Sequence, residues 1–170
     1  MRVLKSKAIL LTAVVITSVV IYFFYGLPWN AYKYSKAFEH YLEKTYQSDF
    51  EIKNISYDFF HNTYKAEAFE KGNEQLPFYV GQNSSDKKIT DGYAYEKTAN
   101  AAYDTVSSIL EKLMPDYKKV NVELVSLDEK ALEINIWVKE KAGERIIDEF
   151  HRELEAGGYK TDQLFFILDR

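Results

Sequence analysis

Hydrophobic and polar positions divide the chain into an apolar leader and a long patterned remainder. From Ala8 to Trp29, AILLTAVVITSVVIYFFYGLPW, no residue carries a charge. A helix rises about 1.5 Å per residue, so Ala8 to Leu27 would cover about 30 Å, the thickness of a bilayer's hydrocarbon core. The run therefore predicts one transmembrane helix over residues 8–28. Its β-branched stretch, Val14, Val15, Ile16, Thr17, Val19, Val20 and Ile21, would make a poor helix in water. In lipid, backbone groups can pair only by closing a helix. Tyr22, Phe23, Phe24, Tyr25, Trp29, Tyr32 and Tyr34 gather at the C-terminal end, as aromatics do where a span meets headgroups.

Beyond the leader the pattern alternates between periods of 3.6 and 2. Asn30 is placed to cap a helix over 31–46, in which Tyr34, Phe38, Tyr41, Leu42 and Tyr46 recur at helical spacing. FEIKNISYDFF, Phe50 to Phe60, alternates as a strand, but Phe50 and Ile52 fall on one phase and Ile55, Tyr57 and Phe59 on the other. A period of two absorbs that change only with an extra residue, so a β-bulge is expected near Lys53 and Asn54. His61-Asn62-Thr63 reads as a hairpin turn into a strand over 64–69, and Leu76 to Val80 supplies a third strand, with Pro77 at its start or on an edge. Gly81 to Gly92, GQNSSDKKITDG, is the most polar stretch and marks a boundary.

The second half opens with a helix over 93–114, carrying Tyr95, Ala99, Ala102, Tyr103, Val106, Leu110 and Leu113 as its stripe and Pro115 as its stop. Val120, Val122 and Leu124, then Leu132, Ile134, Ile136 and Val138, predict two strands over 119–125 and 131–140 joined as an antiparallel hairpin. Glu144 to Ala156 is a third helix with Ile147, Phe150 and Leu154 inward and Gly157-Gly158 as its stop. LFFIL, Leu164 to Leu168, reads as a strand buried on both faces that closes the sheet. The expected fold class is α+β: a single N-terminal transmembrane helix followed by an extracytoplasmic domain of order αβββ-αββαβ with largely antiparallel sheet. The expected divisions are a cytoplasmic N-terminus over 1–7, a signal anchor over 8–28, an N-terminal module over 29–85 and a C-terminal module over 86–170.

Charge sets orientation and narrows partners. Arg2, Lys5 and Lys7 precede the span, whereas Lys33 and Lys36 after it are followed by Glu39 and Glu43. Positive residues stay inside, so the expected location is the cell membrane, single-pass, with the N-terminus cytoplasmic and the domain outside. A cleaved signal peptide would share the basic start, but the run is long for one and Phe24 stands where a cut after Gly26 needs a small residue. All 26 acidic residues lie beyond the span, with 19 of the 22 basic ones, which argues against nucleic acid as a partner. The chain contains no cysteine, excluding disulfides and a lipoprotein anchor. Fourteen tyrosines and eleven phenylalanines against three prolines indicate a packed domain rather than a stalk.

Catalytic signatures are absent: there is no GxSxG elbow, zinc motif, phosphate loop or cysteine nucleophile. Asp86 and Asp91 do not make an EF-hand, because Lys87, Lys88, Ile89 and Thr90 occupy the interval. His40 lies on a charged helix face with no second metal ligand at the required spacing, and His151 shares one helix face with Glu144, Asp148 and Glu155, where Asp148 and His151 would hold a divalent cation only with a carboxylate from elsewhere; a charged solvent face is the expected reading, because HExxH-type spacing is absent and no other histidine is close in sequence. An enzyme would have to assemble a pocket from groups such as Asp58, His61, Asp148 and His151. No cofactor, metal or catalytic residue is assigned. The reading favours a membrane-anchored binding or interaction module that meets the lipid bilayer through residues 8–28 and a protein partner at the cell surface. Its interaction surface is sought at Trp137, Tyr93, Tyr57 and Tyr64. The alternative is a regulatory, assembly or immunity partner acting through the span, where Thr12, Ala13, Thr17 and Ser18 are small enough for close helix contact.

The basic start and span, YLEKTYQSDFEIKNISYDF at Tyr41 to Phe59, YKAEAF at Tyr64 to Phe69 and PFYV at Pro77 to Val80 together resemble the YfjL-like proteins of Gram-positive bacteria. The resemblance covers the leader and about fifty residues beyond it and is aromatic and structural. It implies a small membrane-anchored protein of two modules whose domain faces the cell wall, and it transfers no catalytic residue.

Overall fold

The computed structural model describes residues 2–168, with the side chains of residues 2–8, 23–25 and 28 outside that description. It is α+β and contains two sheets. The chain divides into two compact units, Met1–Gly92 and Tyr93–Arg170, so the boundary falls a few residues beyond the expected 85/86.

In the first unit, helices α1 (Arg2–Tyr25) and α2 (Pro28–Tyr46) precede strands β1 (Phe50–Asp58), β2 (Thr63–Glu70), β3 (Asn73–Gln82) and β4 (Ile89–Asp91). The strands form an antiparallel meander in the order β1-β2-β3-β4. Phe38 and Leu42, one helical turn apart on α2, are fully buried with Phe50, Ala68 and Val80 of the sheet. Burying side chains of this size contributes roughly 1.5–3 kcal/mol each. Phe50 and Phe78 meet edge to face at 5.7 Å, and the Tyr46 hydroxyl donates to Asp91 Oδ1 at 2.8 Å.

The parity change in β1 is resolved by a register shift between Lys53 and Ser56, with Asn54 at φ +52°. The extra residue lets Ile52 face Ala68 and Tyr57 face Tyr64 across the same strand pair. Two boundaries differ from expectation. α2 starts at Pro28, with Leu27 rather than Asn30 at the N-cap and no side-chain cap bond. Proline suits the first helical turn because the N–H it lacks would have no intrahelical partner there. The polar loop after Gly81 contains β4, which pairs with the end of β3.

The transmembrane helix expected over 8–28 is corrected. Among the described residues, no helix is long and apolar enough to cross a membrane. Gly26, at φ +65°, then turns the chain before α2 begins. With the span go the signal anchor and the single-pass location with its cytoplasmic N-terminus and external domain. The basic flank at Arg2, Lys5 and Lys7 and the aromatics Phe23, Phe24 and Tyr25 lie outside the described side chains.

The second unit consists of α3 (Tyr93–Leu113), β5 (Lys119–Ser126), β6 (Ala131–Val138), α4 (Glu144–Ala156) and β7 (Lys160–Leu168). Ala102, Val106, Ile109 and Leu110 of α3 and Phe150 and Leu154 of α4 share one core with Val120, Leu124, Leu132, Ile134, Ile136 and Val138. Tyr95 and Tyr103, expected inside, are exposed, and Ile109 is buried. β7 is not enclosed on both faces. It pairs parallel to β6 at the edge of a three-stranded sheet, with Phe165, Ile167 and Leu168 exposed. The reason is topological: a helix between two strands carries the chain back to start a parallel partner.

Candidate functional site

The β1–β2 hairpin and the joint between α1 and α2 enclose a cleft of about 280 Å³ in the first unit. It is lined by tyrosines 22, 34, 57 and 64, by Gly26 and Leu27, and by Asn30, Asn62, Gln82 and Lys87.

The bulge in β1 aims Tyr57 at Tyr64, and their rings stand 4.9 Å apart. Tyr34, from the second turn of α2, stacks on the other side of Tyr64 at 4.6 Å and 22°. Tyr64 is thereby sandwiched and buried, whereas Tyr34 and Tyr57 keep part of their surface open. Tyr22 approaches Tyr57 at 6.3 Å and Phe59 at 6.2 Å, the latter edge to face. Tilted and edge-on pairings of this kind are favourable for aromatic quadrupoles. Burial, chiefly, raises the hydroxyl pKa of both Tyr57 and Tyr64 above the ordinary value of 10.0, and hydrogen bonds to the Tyr64 oxygen from the Leu27 backbone and the Asn30 side chain partly oppose this.

The lip of the cleft is a braced turn. Asp58 Oδ1 accepts from the backbone N–H groups of Phe60 and His61, and Oδ2 lies 2.7 Å from His61 Nδ1. Those hydrogen bonds, led by the one to the His61 side chain, hold the Asp58 carboxyl below the ordinary carboxylate value. Asn62 adopts φ +49°, a left-handed conformation asparagine tolerates. From the β3–β4 turn, Lys87 (φ +60°) donates its Nζ to the His61 carbonyl, linking the two turns. Phe60 projects from the tip at 83 % exposure.

Of the four residues expected at an interaction surface, Tyr57 and Tyr64 are brought together in this cleft. Tyr93 is buried at the start of α3, with Lys97 Nζ 4.9 Å from its ring. Trp137 is half-buried on the face of β6 opposite the core, under Lys119 Nζ at 4.9 Å and in register with Ile167. Asp58 and His61 pair at the lip, whereas Asp148 and His151 lie on α4 of the second unit, where His151 Nδ1 is 3.1 Å from Thr161 Oγ1. Among the described residues, no group of three or more histidine, aspartate or glutamate side chains is arranged to hold a metal ion. Asn30, Asn62, Gln82 and Lys87 were not singled out as site residues by sequence reasoning. The polar run Gly81–Gly92 holds two of them, but its composition signals only a loop.

A family model described as YfjL-like, N-terminal domain, matches residues 3–106, spanning the whole cleft and the first two thirds of α3. A crystal structure of a DUF5037 family protein from Ruminococcus gnavus ATCC 29149 is similar over 71 % of this chain and 68 % of its own, at 12 % identity and a TM-score of 0.35. No curated protein matches the chain.

Proposed function

The chain belongs to the YfjL-like, N-terminal domain family, and on that premise we propose that it is a non-catalytic binding module whose ligand site is the tyrosine cleft of the first unit. The observation that carries the reading is convergence: four tyrosines from one helix end, a second helix and two strands meet two asparagines, a glutamine and a lysine in a single concavity. Clefts that bind small molecules combine apolar walls with a few convergent polar groups, usually at about 300–1,000 Å³. At about 280 Å³ this one suits a single ring-sized group. General acid–base chemistry most often uses histidine or a carboxylate, with lysine and tyrosine less common, and the described lining residues hold only the less common kinds. That favours holding a ligand over converting it.

The test is a titration of the full chain with glucose, glucuronate, leucine, adenosine and tetramethylammonium, read by the side-chain amide NMR signals of Asn62 and Gln82. At least one probe is expected to move both signals and to be recovered chemically unchanged. Silence of both signals towards every probe, or conversion of the bound probe, overturns the reading.

A further inference from the structure

Hydrogen bonding inside the cleft decides which way its polar groups face. The Tyr57 hydroxyl donates to Asn62 Oδ1 at 2.9 Å, and the Tyr64 backbone N–H donates to Gln82 Oε1 at 3.1 Å. Both amide oxygens are therefore engaged by the protein, and each side chain turns its NH₂ group elsewhere. Among the described residues, Gln82 Nε2 makes only a long 3.5 Å contact with the Lys87 carbonyl. Lys87 spends one ammonium hydrogen on the His61 carbonyl, which leaves two. The first turn of α2, where Leu27 and Asn30 line the cleft, adds the positive end of a helix dipole. The cleft thus presents N–H donors and positive charge beside aromatic rings, with no carboxylate in its described lining.

Its complement is a molecule rich in acceptor oxygens, with one apolar face and a negative charge. Resting on the reading of the cleft as a ligand site, we propose that it takes a hexuronate, a sugar ring bearing a carboxylate. One partly exposed tyrosine, Tyr34 or Tyr57, covers the C–H face of the ring, Asn62 and Gln82 donate to ring hydroxyls, and Lys87 meets the carboxylate. A quaternary ammonium, the other frequent guest of clustered aromatics, is disfavoured because Lys87 repels it and the carboxylate at the lip, Asp58, is engaged by the His61 side chain and two backbone N–H groups. The ring is the unit recognised, whether free or within a polysaccharide.

The experiment compares glucuronate, glucose, glucosamine, acetate and tetramethylammonium on the full chain by calorimetry and the same amide signals. Glucuronate is expected to bind about fivefold more tightly than glucose, the size of one half-exposed charge pair, with glucosamine weaker than glucose. Lys87→Gln should abolish the preference, bringing glucuronate down to the glucose level measured on the same variant. Asn62→Asp keeps an oxygen for the Tyr57 hydroxyl and a residue that tolerates the left-handed backbone, but replaces the NH₂ donor with a negative oxygen, and should abolish glucuronate binding in a folded chain. Preference for glucosamine or tetramethylammonium, or acetate binding as well as glucuronate, overturns the proposal while leaving a ligand site in place. Failure of leucine and adenosine as well as all the sugars and tetramethylammonium to move the amide signals removes the binding-module reading itself. A glucuronate-containing disaccharide binding more tightly than the free sugar assigns the source to a polymer, and equal binding assigns it to the free ring.

Discussion

A Cβ placed on Gly26 would lie 2.2 Å from the Tyr64 hydroxyl, so the joint between α1 and α2 closes directly onto a ring of the β-sheet. Gly26 also holds φ +65°, and the same Cβ would come within 3.0 Å of Tyr57 Cγ. Gly26→Ala therefore combines a left-handed alanine with overpacking, for an expected loss of about 2–4 kcal/mol. Gly72→Ala supplies the control: φ is +90° there, but open space surrounds the new methyl, so only the backbone part, about 1–2 kcal/mol, should be lost. Urea unfolding of the two variants measures the difference. Equal losses would mean that the hydroxyl does not sit against the joint.

The tyrosines predict an alkaline limit. Tyr41, Tyr57, Tyr64 and Tyr79 all have hydroxyl pKa values raised above 10.0, chiefly by burial. As pH rises through 10, the unfolded chain releases these protons while the folded chain retains them. The unfolded state then binds fewer protons, and stability falls with pH until the folded-state values are passed. Below about pH 9 the same groups contribute no slope. Unfolding midpoints collected from pH 7 to 11 should be flat and then decline, and Tyr64→Phe should shallow the decline. An unchanged slope in that variant would remove Tyr64 from the account.

The alternation of FEIKNISYDFF already required an extra residue near Asn54, and the register shift between Lys53 and Ser56 lies there. This was legible because a two-residue period leaves no other way to bury both Ile52 and Tyr57. The pairing of Tyr57 with Tyr64 follows from the same bulge and a short turn. What could not be read was the polar half of the site. Gln82 and Lys87 come from a segment whose composition says only that it is a loop, and the direction of each amide depends on partners, the Tyr57 hydroxyl and the Tyr64 N–H, that meet only in three dimensions. LFFIL was misassigned for a related reason. A continuous apolar run fits a strand covered on two faces, but nothing local shows that this sheet has only three strands and that the run lies at its edge. The leader was read from its length, hydropathy, basic flank and terminal aromatics, which contain no sign that Gly26 turns the chain.

Asn54 gives the bulge its own test. Its φ of +52° is tolerated by asparagine and glycine and resisted by β-branched residues. Asn54→Gly should be close to neutral, losing only an exposed side-chain bond to Glu67 Oε2, whereas Asn54→Val should cost about 1–2 kcal/mol. Chemical denaturation of both variants reads this directly. If valine is accepted as well as glycine, the left-handed residue is not what sets the register of Tyr57.

The two sheets also differ in how their strands can find one another. Every neighbour in β1-β2-β3-β4 is joined by a nearby turn, so that sheet can zip up one hairpin at a time from local encounters. β7 reaches β6 only after the whole of α4 has been laid down between them, and no hairpin exists to start the pairing. The entropy of closing that longer loop falls before any ladder bond forms. The slow phase of refolding should accordingly belong to the second sheet, after the β1-β2-β3-β4 meander has zipped.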